Sequence, residues 1–329
     1  MKTRQLGKTD LHLTEIGLGT WAIGGADWQF GWGPQDDRDS IRTIHEALDL
    51  GINWIDTAPA YGLGHSEEIV GRVIAERREK PLIATKCSLV WGKERTIQNV
   101  LKAGSIRREI EASLRRLKVD VIDLCQIHWP NPDADIEEAW TTLAELREEG
   151  KIRYPAVCNF SSAQIRRALA IHPVASLQPP YSMLQRGIEH EILPYCADHG
   201  IGVVVYSPMQ RGLLTGAITP ERMARMDASD YRTRSPMFRE PELSLHLEFV
   251  TKLRNLAEEL GRTPAQLAIA WTLRRGEVTA AIVGSRRPGQ ISETAPAAGW
   301  DPGAAVWHQI EEWLIVHDRV LAEVRDVAE

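Results

Sequence analysis

Cysteine and phenylalanine are scarce in this chain, and positive charge is not in excess. Its four cysteines, Cys87, Cys125, Cys158 and Cys196, are scattered over 329 residues, which excludes the paired spacing of a zinc site and the density of a disulfide framework. Reduced thiols and no bound metal are expected, with Cys125 and Cys158, each inside an apolar run, read as small core residues. The formal net charge of −6 argues against a general nucleic-acid binder, although a pocket for one phosphate is invisible in such a sum. No stretch approaches the roughly 20 apolar residues that span a bilayer. The opening MKTRQLGKTD has no apolar segment of the secretory kind. The reading is a cytoplasmic protein with a small-molecule partner and neither nucleic acid nor membrane as a ligand.

What the chain does have is a regular alternation. A hydrophobic content of 43% beside 26% charged residues suits a globular protein able to bury a core. Short apolar runs bounded by turn residues read as eight strands: Glu15–Gly19, Ile52–Ile55, Leu82–Lys86, Val121–Ile127, Ile152–Val157, Val174–Gln178, Gly202–Tyr206 and Thr279–Val283. Between them Asp39–Leu50, Glu67–Arg78, Ser105–Leu117, Ile136–Glu148, Ala163–Ile171 and Ile188–His199 carry apolar residues three and four apart, the spacing of crossover helices. Ser161 with Gln164 and Thr263 with Gln266 fit capping boxes. Pro264 stands where a first helical residue tolerates proline, and Gly51, Gly150, Gly200 and Gly261 follow helical runs.

Lys2–Leu13 reads as a hairpin plugging one end, about 208–240 as a long loop after the seventh strand, and Ala304–Val327 as a C-terminal helical extension. With no internal repeat or linker, the expectation is α/β, a single (β/α)8 TIM barrel domain over residues 1–329. A doubly wound sheet competes with it, because Gly17, Gly19 and Ala22 match the dinucleotide fingerprint. The following IGGADWQFGWG is not a helix, so no helix N-terminus is there to hold a pyrophosphate.

Active sites of barrel enzymes form at the C-terminal ends of the strands, and chemistry-bearing residues gather there. Trp21 follows the first strand, Asp56 the second, Lys86 ends the third and His128 follows the fourth; Asn159, Gln178 and Ser207 stand at the ends of the next three. Around them NWIDTAPAYG at 53–62, PLIATK at 81–86 and IDLCQIH at 122–128 resemble the aldo-keto reductase family. KIRYPAVCNFS at 151–161, VVYSPMQRGLLTG at 204–216 and VGSRRPGQISET at 283–294 follow in that family's order and spacing. The likeness covers nearly the whole chain to about residue 295. It is nearest to the branch holding bacterial general-stress reductases and potassium-channel β-subunits.

The resemblance implies NADPH-dependent reduction of aldehydes and ketones, with Asp56, Tyr61, Lys86 and His128 as the catalytic group. Residue chemistry agrees: hydride transfer to a carbonyl builds negative charge on oxygen, so a proton donor must face it. Tyr61 is that donor, and a neighbouring Lys86 ammonium is expected to bring the phenol's pKa down towards working pH. Asp56 keeps the buried amine charged, and His128 orients the carbonyl oxygen.

By the same resemblance Asn159 and Gln178 hold the nicotinamide carboxamide and Tyr206 stacks on the ring. Gly19, Thr20 and Trp21 face the cofactor from the first strand's end, and Ser207, Pro208, Met209, Gly212 and Leu213 contact the pyrophosphate. Gly284, Ser285 and Arg286 meet the 2′-phosphate ahead of a short helix, with Gln290, Glu293 and Thr294 at the adenosine. Two departures stand out: Cys158 replaces a usual serine, and Thr294 a usual asparagine.

Tryptophan is abundant, 11 residues against 4 phenylalanines. Trp21, Trp91 and Trp129 are read as lining the substrate pocket, with Trp28 and Trp32 given less weight. Two other functions fit the same fold: an NAD-linked dehydrogenase of sugars or polyols, and a cofactor-loaded, redox-sensing regulatory subunit. An oligomer is left open, since Trp300, Trp307 and Trp313 suit either the chain's own barrel or a neighbour.

Overall fold

The computed structural model describes residues 1–26 and 28–328. Eight strands, β1 (Ile16–Gly19), β2 (Trp54–Asp56), β3 (Leu82–Cys87), β4 (Ile122–Ile127), β5 (Ile152–Cys158), β6 (Ser176–Gln178), β7 (Gly202–Val205) and β8 (Ala280–Gly284), form a closed barrel. Each pairs in parallel with the next in sequence, and β8 closes on β1 through Gly284 opposite Gly19. The sequence expectation of eight parallel strands holds, with shifts at the ends. The second strand starts two residues later than expected, at Trp54, and Tyr206 leaves β7 to bridge Pro180.

Outside the barrel run α1 (Asp37–Asp49), α2 (His65–Glu76), α3 (Ala103–Leu117), α4 (Ile136–Glu148), α5 (Ser162–Leu169) and α6 (Ile192–His199). The last is shorter than the expected Ile188–His199. Then come α7 (Pro220–Ala224), α8 (Glu242–Glu259), α9 (Pro264–Leu273), α10 (Gln290–Thr294) and α11 (Ala304–Ala328). Both expected capping boxes form, at Ser161 with Gln164 and Thr263 with Gln266. Each satisfies two of the orphan N–H groups at a helix start. A second hairpin, Leu89–Trp91 with Ile97–Asn99, follows β3 and was not expected, because its GKERT connection reads as plain loop.

The N-terminal hairpin, Thr3–Gln5 paired with His12–Thr14, stoppers the barrel. Its Leu6, Leu11 and Leu13 pack with Trp54, Ala84, Leu124, Ala156, Val204 and Ala280 inside the strands. Gly7 turns the hairpin with φ +53°, and a Cβ there would lie 2.6 Å from Gly202 N, so only glycine lets the plug seat this closely.

The long segment after β7 is more ordered than a loop. It holds 3₁₀ turns at Gln210–Thr215, Tyr231–Arg234 and Pro236–Phe238 besides α7, and Leu213, Ile218 and Phe238 form a small core with Leu243. Trp300, Trp307 and Trp313 pack on the chain's own core. No described helix is long and apolar enough to cross a membrane.

Candidate active site

Strand register brings the polar residues together at the barrel's C-terminal end. Asp56 pairs beside Gly19 and Ala84, and Lys86 lies opposite Gln126. Lys86 is fully buried, and its Nζ donates to Asp56 Oδ1 at 2.7 Å and to the Thr57 carbonyl at 3.0 Å. The other carboxylate oxygen, Oδ2, accepts from Gln178 Nε2 at 2.8 Å and Gln126 Nε2 at 3.4 Å. An ion pair taken out of water is tolerable only when its remaining lone pairs and protons are satisfied, and these two glutamines satisfy Asp56. Burial is the largest single influence on Lys86 and lowers its pKa, but attraction to Asp56, Tyr61 and Cys158 together with the hydrogen bond to Asp56 outweighs it, and the net shift is upward. The amine therefore stays charged.

Tyr61 stands on the loop between β2 and α2, with Lys86 Nζ 5.1 Å from its ring centroid. The sequence expectation of a more acidic phenol is not met. Burial raises the Tyr61 pKa, Lys86 opposes this and Asp56 adds to it, and the net shift is upward. The residue is only partly buried and lines the cleft. The phenol is thus a standing proton donor, neutral at any ordinary working pH. His128 meets Tyr61 edge to face, ring centroids 5.9 Å apart at 79°. Burial, and then the Lys86 charge, hold its pKa well below the usual value, so the ring is a neutral imidazole; among the described residues its Nδ1 has no hydrogen-bond partner.

The neighbouring amides are tied into the protein. Asn159, at φ +61°, donates through Nδ2 to the His128 carbonyl at 3.1 Å and accepts at Oδ1 from the Tyr206 hydroxyl at 2.9 Å. Gln178 Nε2 also donates to Gln126 Oε1 at 3.1 Å, and Gln178 Oε1 faces the Cys158 thiol at 3.7 Å. Burial pushes that thiol's pKa upward, so it is inert.

A cleft of about 1140 Å³ opens above these groups and runs to the β8 end. Its walls include Gly19, Trp21, Asp56, Tyr61, His128, Asn159, Gln178, Tyr206, Ser207, Pro208, Met209 and Gly212, then Gly284, Arg286, Gln290, Glu293 and Thr294. Three residues expected at the cofactor do not line it. Buried Thr20 donates to the Asp56 carbonyl at 3.0 Å and accepts from Ser66 at 2.8 Å. Leu213 belongs to the small core of the long segment, and Ser285 is buried, donating to the Arg287 carbonyl at 3.3 Å.

Residues 15–312 match the profile of the Aldo/keto reductase family. The chain belongs to the aldo/keto reductase family. Such enzymes are oxidoreductases that use nicotinamide cofactors. The chain is 41% identical over 303 residues to aldo-keto reductase YhdN of Bacillus subtilis strain 168, covering 91% of this chain and 89% of that protein. It is 37% identical over 311 residues to an NADH-specific methylglyoxal reductase of Escherichia coli K12, covering 90% and 93%. Among solved structures, a glycerol dehydrogenase from Gluconobacter oxydans superposes with a TM-score of 0.87 at 40% identity, covering 96% of each chain.

The mouth of this aldo/keto reductase is aromatic. Trp21 stacks near Tyr61 at 6.4 Å and 25°, Trp28 lies 6.2 Å from Tyr61, and Tyr231 is 5.8 Å from Trp21. Trp129 lines the cleft with a partly solvated ring, and Trp28, Phe30 and Trp32 line it too. Trp91, expected at the pocket, is not among the lining residues: it sits on the hairpin after β3, paired with Ile97, while Leu89 of the same strand does line the cleft. Sequence reasoning missed Gln126, although a glutamine inside the apolar run IDLCQI was a signal. It also missed Tyr231 and Arg232, which lie in the irregular segment and carried none. At the start of α10, Gly289 N donates to Glu46 Oε2 at 2.8 Å.

Proposed function

We propose that the protein reduces aldehydes and ketones to alcohols with NADPH, reversibly, and that Tyr61 is the proton donor. The observation carrying this reading is the buried Lys86–Asp56 pair set against the Tyr61 ring. The bound nicotinamide supplies the hydride. The chain's own residues do the rest: Tyr61 O–H and neutral His128 meet the carbonyl oxygen, and as negative charge grows there the Tyr61 proton moves to it. Lys86⁺ stabilises the phenolate left behind, which is electrostatic help concentrated on the transition state. Asp56 holds the amine, with Gln126 and Gln178 holding Asp56.

The residues around the cleft suit an extended dinucleotide. Asn159 and Gln178 offer amides for a carboxamide, Tyr206 an aromatic face, and the turn after Ser207 backbone donors for a pyrophosphate. Arg286 is the partner for a 2′-phosphate. Burial chiefly, and then the nearby Arg232 charge, push its pKa down, with Asp230 opposing them. The aromatic mouth suits carbonyl compounds of mixed structure. Buried free thiols at all four cysteines fit a cytoplasmic setting.

A second reading, oxidation of a polyol with NAD, draws on the glycerol dehydrogenase at 40% identity. NADPH and NADH consumption with a panel of aldehydes, and the reverse reaction with polyols, separate the two. Tyr61→Phe is expected to lose about 10²–10⁴-fold in turnover; full turnover in that variant removes Tyr61 as donor.

A further inference from the structure

Gln35 and Arg286 meet across the mouth of the cleft from positions 251 residues apart. Arg286 Nε donates to Gln35 Oε1 at 2.9 Å, and Gln35 Nε2 donates back to the Arg286 carbonyl at 2.6 Å. Arg286 Nη2 donates to the Pro34 carbonyl at 2.6 Å. Gln35 is itself anchored, its Nε2 reaching Ser40 Oγ at 3.0 Å in the first turn of α1, where Ser40 is fully buried. The clasp engages two of the three guanidinium nitrogens and leaves Nη1 for an incoming anion.

Position matters here because Arg286 borders two spaces. Beside the cleft lies a recess of about 500 Å³ lined by Arg222, Arg225, Arg232 and Asp230, and Arg286 lines both. A long, freely rotating side chain at such a border has two places to lie, and the clasp removes that choice. Asp36 and Asp39, just after Gln35, line the cleft together with Arg211, Arg222, Arg232 and Arg287, so a held Arg286 counts most beside those two carboxylates. A neutral amide is the fitting clasp, since it orients the guanidinium without cancelling its charge.

We propose that Gln35 is a positioning residue for cofactor choice: by clasping Arg286 at the cleft it sets the preference for a dinucleotide bearing a 2′-phosphate over one ending in a free ribose hydroxyl. This rests on Arg286 being the phosphate's partner. The test is the pair of dissociation constants for NADP⁺ and NAD⁺, read by tryptophan fluorescence on the intact protein and on Gln35→Ala, Gln35→Glu and Arg286→Ala. Gln35→Ala weakens NADP⁺ roughly tenfold, the size of one charge-assisted hydrogen bond, and leaves NAD⁺ unchanged. Gln35→Glu weakens NADP⁺ further, because a carboxylate pairs with Arg286 and repels the phosphate.

Taking both constants on one variant cancels any unfolded fraction. If Gln35→Ala shifts both cofactors equally, or neither, while Arg286→Ala still abolishes discrimination, the Gln35 assignment alone is overturned. If Arg286→Ala keeps the original NADP⁺ to NAD⁺ ratio, the phosphate reading fails and the clasp fails with it.

Discussion

At the N-terminal end the barrel interior is filled by Leu6, Leu11 and Leu13 against strand side chains, while at the C-terminal end the same strands bury Asp56, Lys86, Gln126 and Gln178. The difference lies in what each end does for the fold. Leucines removed from water stabilise it directly, by about 25 cal/mol for each Å² of apolar surface buried. The buried ion pair contributes less, since desolvation cancels much of its attraction. The apolar end therefore carries more of the fold's stability and the polar end less.

The sharpest way to break this comparison is Lys86→Met. Removing the amine leaves Asp56 charged and unpaired among glutamines, so stability is expected to fall by about 3–5 kcal/mol and turnover by on the order of 10³-fold or more. Adding Asp56→Asn removes the stranded charge, and the double variant recovers most of the stability in a denaturant melt while its turnover stays lost. A double variant as unstable as the single one contradicts the electrostatic account.

Next in size is Leu11→Ala in the plug. It opens a cavity and is expected to cost about 2–5 kcal/mol, with kcat/KM of the folded fraction unchanged. A change in kcat/KM without loss of stability would couple the two ends, contrary to the division drawn here.

The smallest effect is one of pH. Tyr61 is raised above its usual pKa of ~10, so its proton is lost only at still higher pH; His128 is lowered below its usual ~6.5, so it charges only at lower pH. Lys86 is raised and stays cationic throughout. The expected kcat/KM for carbonyl reduction is flat between about pH 7 and about pH 9. A titration limb inside that window assigns the acid to another group.

The barrel was legible because each strand is a short apolar run closed by turn residues, and because Asp56, Lys86 and His128 follow such runs at the ends where register later aligns them. The site's finer economy was not local enough to read. Gln126 lies mid-strand, and its tie to Asp56 depends on β4 being placed near β2 across β3. The rise in the Tyr61 pKa comes from surroundings contributed by several loops, where sequence showed only the opposing lysine. Which tryptophans face the cleft is decided by how loops roll. Trp91 is drawn off by a hairpin, and Trp32 is brought in by a bridge to Asp230 that no spacing in either segment announces.

The plug has a consequence for traffic. With leucines filling the floor, anything that reaches the buried polar group must come and go through the cleft above it.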